Sequence, residues 1–268
     1  MLIDTHCHLT CPELYRQLGD VLARAQQAGV SRLITIATSP QDARRAVDIA
    51  RAHPQVSFAA GVHPHEAAKV TDDDLEALAH LHRGRWRLGA LEERLAAVGE
   101  TGLDFHYDFA PRERQEQVFR FQLALAAETG RPVVIHAREA ELRVCDILDE
   151  YPALAGRAVF HCFSKGPDVA RRIFDAGNWL SFTGVLTFRN ALEVQESART
   201  APADRIMIET DAPYLSPEPV RKVRPCEPAF VAHTARALAA LRGEPPETLA
   251  ARTTQNAERF FSLGSNAA

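Results

Sequence analysis

The chain has 268 residues, of which 46% are hydrophobic and 25% charged, with a formal charge of −4 and a pI near 6.3. These are ordinary globular values and exclude a disordered or fibrous chain. The acidic balance also excludes a broad basic surface for duplex DNA, because non-specific backbone binding needs clustered Lys and Arg.

The length exceeds the usual domain mode but lies within the range where α/β barrels run as one domain, so residues 1–268 are expected to form a single domain. No apolar run approaches the span of a bilayer, and the start has no basic region followed by a hydrophobic stretch and cleavage site, so a soluble cytoplasmic protein is expected. Cys7, Cys11, Cys145, Cys162 and Cys226 form an odd set without a C-x-x-C pair, which suits reduced thiols better than a disulfide framework or zinc knuckle.

Met1-Leu2-Ile3 opens the first predicted strand, and period two sends His6 and His8 of Asp4-Thr5-His6-Cys7-His8 to one face and Cys7 to the other. Val21, Leu22 and Ala25 follow with helical spacing, closed by Gly29. The next strands are Leu33-Ile34-Thr35-Ile36, Val56-Ser57-Phe58-Ala59-Ala60 and Leu95-Ala96-Ala97-Val98. Ser39 before Pro40, and Thr71 before Asp72, Asp73 and Asp74, are helix starts between them.

Val118, Phe121 and Leu125 mark a helix ending at Gly130, ahead of Val133-Val134-Ile135. After Ala158-Val159-Phe160, the spacing of Val169, Ala170, Ile173 and Phe174 predicts a helix ending at Gly177. Trp179-Leu180-Ser181-Phe182 and Ile206-Met207-Ile208 are the last two strands. Two helices follow, over Phe230–Leu241 and Leu249–Phe261, and Gly264–Ala268 reads as a frayed end. Continuous apolarity suits strands buried on both faces. Strand and helix alternating eight times predicts a single (β/α)8 TIM barrel with an extra C-terminal helix. The rival, an open doubly wound sheet, should offer a glycine-rich phosphate loop after an early strand, and none is present.

Functional groups of such barrels sit at the C-terminal strand ends. His6 and His8 follow strand 1, Glu100 strand 4, His136 strand 5, His161 strand 6 and Asp211 strand 8. Each has an ordinary alternative: Glu100 as a helix-entry residue, Asp211 as a turn residue before Pro213, His136 and His161 as satisfied half-buried histidines. Six at one mouth point instead to a shared site, and four His, one Glu and one Asp suffice for two cations.

The sequence resembles the TatD-type metal-dependent hydrolases (TatD DNases) among the amidohydrolase-like barrels. The resemblance rests on Asp4-Thr5-His6-Cys7-His8-Leu9, Gly61-Val62-His63-Pro64-His65, Gly99-Glu100-Thr101-Gly102-Leu103-Asp104, Ile135-His136-Ala137-Arg138, His161-Cys162-Phe163-Ser164, Ser181-Phe182-Thr183-Gly184 and Glu209-Thr210-Asp211-Ala212-Pro213-Tyr214-Leu215, in order from residue 2 to about Phe261. It implies two divalent cations (Zn, Mn or Mg). His6 and His8 would bind one and His136 and His161 the other, with Glu100 bridging both and Asp211 on the first while handling the water proton. Asp211 and Glu100 are thus the expected catalytic residues.

His63 and His65 are expected either to hydrogen-bond the scissile phosphate or leaving group or to pack their loop. Glu209 either orients a ligand or forms a buried ion pair. Two positions depart from the family pattern: Lys165-Gly166 where Gly usually follows His-Cys-Phe-Ser, and Cys226 where Asn usually precedes Glu-Pro. Lys165, Arg221, Lys222 and Arg224 near the mouth can hold phosphate oxygens or simply be solvated, and Lys165 and Arg224 are taken as substrate contacts. Tyr107 and Phe105 can stack an unpaired base or pack the loop.

The expected activity is divalent-metal-dependent phosphodiester hydrolysis of DNA by a metal-activated water, 3′–5′ exonuclease-like on single strands or ends. The substrate would be DNA or another nucleotide-containing molecule held locally at the mouth, with no membrane and no obligate protein partner. A metal-dependent ester or amide hydrolase, such as a D-aminoacyl-tRNA deacylase, is the alternative, because the same chemistry can attack a carbonyl. A non-catalytic binding barrel is a third class, which the full set of expected ligands argues against.

Overall fold

The computed structural model describes residues 1–264, so the frayed end expected for Gly264–Ala268 lies, beyond Gly264, outside the described residues. Eight strands run in sequence order around one parallel sheet: β1 (Leu2–Cys7), β2 (Val30–Ala37), β3 (Val56–Ala60), β4 (Leu95–Asp104), β5 (Val133–Arg138), β6 (Ala158–Phe160), β7 (Trp179–Phe182) and β8 (Ile206–Ile208). The helices are α1 (Pro12–Tyr15), α2 (Leu18–Gln27), α3 (Pro40–Ala52), α4 (Asp72–His82), α5 (Arg112–Thr129), α6 (Glu141–Asp149), α7 (Pro167–Asp175), α8 (Leu192–Thr200), α9 (Val231–Arg242) and α10 (Pro246–Phe261). This is a TIM barrel with an added C-terminal helix, as the alternation predicts.

The local signals act as expected. Ser39 Oγ accepts the Asp42 N–H at 3.2 Å to cap α3, and Thr71 and Asp74 form a reciprocal capping box at the start of α4. The apolar runs locate every strand, but β1, β4 and β5 continue past them into polar residues. His6, Glu100 and His136 therefore lie within strands, because the polar side chains there are buried or half-buried and the ladder does not stop where hydrophobicity does.

Period two divides the wall. Along β5, Val133 and Ile135 join the cluster packed on the helices, while Val134 joins a second cluster with Ile34, Ala59, Ala97, Val159 and Met207. That second cluster includes Phe260 and Phe261 of α10. Asn256 Nδ2 donates to the Ala203 and Ile206 carbonyls, and Thr254 Oγ1 donates to the Met1 carbonyl. The closing helix is thereby fixed beneath the strand starts, opposite the histidines.

The seam between β1 and β8 is joined at the other end. Cys7 pairs with Ala212 in a parallel bridge, the His8 N–H donates to the Ala212 carbonyl at 2.7 Å, and the Asp211 N–H donates to the His6 carbonyl at 2.9 Å. One layer deeper, the Asp4 carboxyl accepts from the Thr210 N–H at 3.0 Å and the Thr210 hydroxyl at 2.6 Å. Among the described residues no helix is long and apolar enough to cross a membrane. All five cysteines are free.

Candidate metal centre

The strand ends bring His6, His8, Glu100, His136, His161 and Asp211 together. Glu100 is at the middle and is placed there by close backbone packing. At Gly102, where φ is +142°, an added Cβ would fall 1.9 Å from the His136 carbonyl oxygen; at Gly61 it would fall 2.6 Å from the Gly99 Cα. The neighbouring backbones therefore press against β4 where it carries Glu100, an approach that only glycine allows.

The two oxygens of Glu100 face different histidines. Oε1 lies 2.9 Å from His136 Nδ1, 2.8 Å from His161 Nε2 and 3.4 Å from His63 Nε2. Oε2 lies 3.3 Å from His6 Nε2 and 3.8 Å from His8 Nε2. Asp211 Oδ1 completes the second group, 3.3 Å from His8 Nε2 and 3.7 Å from His6 Nε2. Buried Glu100 Oε2 has no hydrogen-bond partner, although nitrogen and oxygen donor atoms converge on it. A cation among those atoms would resolve an otherwise costly orphan, and mixed imidazole and carboxylate donors suit a divalent transition metal. Sets of donors close enough to share an ion are His6, His8 and Glu100; His6, His161 and Asp211; Glu100, His136 and His161; and His63, His65 and His136.

Three of the four expected histidine ligands have their other nitrogen held by an acceptor. His8 Nδ1 faces the Ile36 carbonyl at 3.2 Å, His161 Nδ1 faces Glu209 Oε1 at 3.2 Å, and His136 Nε2 faces Asp104 Oδ2 at 3.0 Å. Such partners fix the tautomer and turn the remaining lone pair inward. His6 is held by its ring, stacked on His161 with centroids 3.8 Å apart and planes 8° apart.

The charges explain the pKa directions. Burial opposes ionisation of Glu100, but His161, His63 and His6 outweigh it and hold the carboxyl well below its usual range. Burial likewise opposes protonation of His161, yet Glu100 and Glu209 raise it well above an ordinary histidine. Asp211 is also lowered, its burial overcome by the His8 hydrogen bond and the charges of His161 and His6. The pocket favours positive charge in its centre.

The remaining expected residues divide. His63 Nε2 is 3.2 Å from His136 Nδ1, and His65 Nε2 is 2.8 Å from Asp104 Oδ2, so both border the cluster. Glu209 also accepts the Cys162 N–H at 2.6 Å. Lys165 is directed instead to Glu141, 3.7 Å away, and Arg224 donates to the Arg221 and Val223 carbonyls of its own loop. Neither touches the cluster. Cys226 is fully buried, its N–H on the Pro213 carbonyl at 2.9 Å.

Asp104 was given no role by the sequence, although it joins His65 to His136 and accepts the His106 and Tyr107 N–H groups, each at 3.0 Å. The alternation Glu100, Gly102, Asp104 along a longer β4 was the signal that could have found it.

Comparison with known proteins agrees with this geometry. The family model for TatD related DNase matches residues 3–262. An uncharacterized metal-dependent hydrolase of Bacillus subtilis, YabD, is 36% identical over 98% of this chain and all of its own length. A protein of Erwinia tasmaniensis called 3′-5′ ssDNA/RNA exonuclease TatD is 35% identical over 98% of this chain and all of its own. The crystal structure of YJJV, a TatD homologue of Escherichia coli K12, superposes with a TM-score of 0.91 at 29% identity over 98% of each chain. Eight parallel strands, the histidine and carboxylate cluster at their ends and a full-length match lead to one assignment: the chain belongs to the TatD related DNase family and is a metal-dependent hydrolase.

Proposed function

We propose that the protein is a nuclease that uses two divalent cations to hydrolyse phosphodiester bonds, working from the 3′ ends of single-stranded DNA or RNA. The observation that carries this reading is the division of Glu100 between two donor groups, with Oε2 unpartnered. In this scheme His6, His8 and Asp211 would hold one cation and His136 and His161 the other, with Glu100 available to both. When bound, such a pair lowers the pKa of water, polarises a phosphoryl oxygen and offsets charge on the attacking and leaving oxygens.

The chain supplies the remainder. Asp211 is held ionised and keeps 14% of its side chain exposed, so it reaches the cluster and the open mouth together. It takes the proton of the attacking water as general base and returns it towards the leaving oxygen. Glu209 and Asp104 hold His161 and His136 in the tautomers that ligation requires. His63, whose Nδ1 accepts the His65 N–H and whose Nε2 lies 3.4 Å from Glu100 Oε1, would donate from Nε2 to a phosphate oxygen seated beside the cluster.

The test is turnover of a 5′-labelled single-stranded oligonucleotide in Mn²⁺ or Mg²⁺, beside an acylated tRNA and a cyclic amide. Shortening of the strand from its 3′ end, lost in chelator and lowered about 10³-fold in Asp211→Asn, is the expected result, together with two cations per chain by calorimetric titration. Turnover of the acyl or amide substrates alone overturns the phosphodiester reading, and a single cation per chain overturns the division of Glu100.

A further inference from the structure

On the β4–α5 side of the mouth, the segment Phe105–Arg112 leaves two aromatic rings in solvent, Tyr107 at 40% and Phe109 at 59% exposure. They lie 5.4 Å apart with planes 37° apart, and both contact His65, at 5.6 and 4.6 Å between centroids. The His65 ring in turn lies 5.9 Å from His136 and shares Asp104 Oδ2 with it. The rings therefore begin one residue away from the candidate metal centre. Phe105, by contrast, packs on the core.

Cationic groups accompany the rings. The Arg138 guanidinium lies over Tyr107 at 4.7 Å and that of Arg112 over Phe105 at 4.3 Å. Both arginines are exposed, and among the described residues neither is paired with a carboxylate, whereas Arg120 of α5 and Arg143 of α6 are bound to Glu150 and Glu116. Exposed aromatic faces with unpaired guanidinium groups are the combination that binds single-stranded nucleic acid, bases on the rings and phosphates on the cations.

We infer that Tyr107 and Phe109 form a stacking subsite for an unpaired nucleobase of the strand being cut, with Arg138 holding the phosphate beside it. The inference rests on the nuclease reading above and adds the feature that selects the substrate. A ring can stack only on a base whose face is free, so paired strands are refused except at frayed ends. The subsite is sequence-tolerant, because every base offers a π face.

The test compares two strands on metal-loaded protein: an ordinary single-stranded oligonucleotide, and the same strand with base-less tetrahydrofuran residues at its 3′ end. Tyr107→Ala and Phe109→Ala are each expected to raise KM for the ordinary strand about tenfold, within the range measured for one stacked base. On the base-less strand both variants should match the unsubstituted protein, and Tyr107→Phe should behave as the unsubstituted protein on both. Equal losses on the two strands overturn the subsite, since the substitutions would then act through the fold rather than the base. If no strand is cleaved, the nuclease reading fails on its own. The subsite is then decided by quenching of a 2-aminopurine strand bound to Asp211→Asn protein, which supports it if lost in the added Tyr107→Ala change and overturns it if retained.

Discussion

The two ends of the barrel are built from the same strands and spend their buried space differently. At the strand starts, Ile34, Val134, Val159 and Met207 meet Phe260 and Phe261 of α10 in a cluster of apolar side chains. At the strand ends, five histidines converge on the Glu100 carboxylate and leave its Oε2 without a hydrogen bond. Apolar packing at one end supplies the free energy that lets the other hold an arrangement no protein would adopt for its stability alone.

That division predicts opposite consequences for substitutions at the two ends. Asp211→Asn is expected to remove about three decades of turnover and to lower the melting temperature of the metal-free protein only slightly, because it keeps the side chain's volume and gives up just the attraction to His8, His161 and His6. Phe260→Ala should do the reverse. It truncates a ring 5.3 Å from Trp179 and 4.8 Å from Phe261, costing about 3 kcal/mol in chemical denaturation while turnover per folded molecule stays unchanged. Equal loss of activity and stability in either variant would show that the ends are coupled.

Asp104→Asn and Glu209→Gln examine the boundary between the two roles, since each removes the charge behind a histidine rather than a donor to a cation. Each is expected to weaken cation affinity about tenfold to a hundredfold, read by competition with a metallochromic dye. Full affinity in both variants would reduce these carboxylates to structural ion pairs.

The smallest effect concerns a histidine outside the cluster. His82 of α4 is buried and donates Nε2–H to the Ala60 carbonyl at 2.9 Å; burial, with no carboxylate beside it, lowers its pKa to about 4, opposite to His161. Its folded form refuses a proton that the unfolded chain accepts near pH 6.5. Stability is therefore complete above that pH and falls as pH drops towards 4, by about 3 kcal/mol at most. His82→Gln keeps a donor for Ala60 and should flatten this part of the pH profile in urea unfolding. An unchanged profile would place the acid sensitivity elsewhere.

The barrel was legible because burial on both faces writes each strand as an apolar run, and the glycines at 29, 130 and 177 take the positive φ that ends a helix. The six ligand candidates were legible because they follow those runs directly. Asp104 was not, since a strand that turns polar while remaining buried has no mark in hydrophobicity. Phe105 and Tyr107 look alike in sequence, and only the packing shows that Phe105 is turned to the core and that Phe109 takes its place beside Tyr107. Lys165 and Arg224 illustrate the opposite limit: long side chains near a mouth are drawn to whatever acceptor is nearest, here Glu141 and two loop carbonyls.

The bridge between Cys7 and Ala212 joins the end of the first strand to the segment after the last, and the residue beside it is Asp211. During synthesis, a chain that stops before β8 would hold His6, His8, Glu100, His136 and His161 but neither the last stave nor Asp211, the proposed proton acceptor. On the proposed mechanism, closure of the cylinder and arrival of the general base are one event, and a product cut short before β8 is expected to be inert towards nucleic acids.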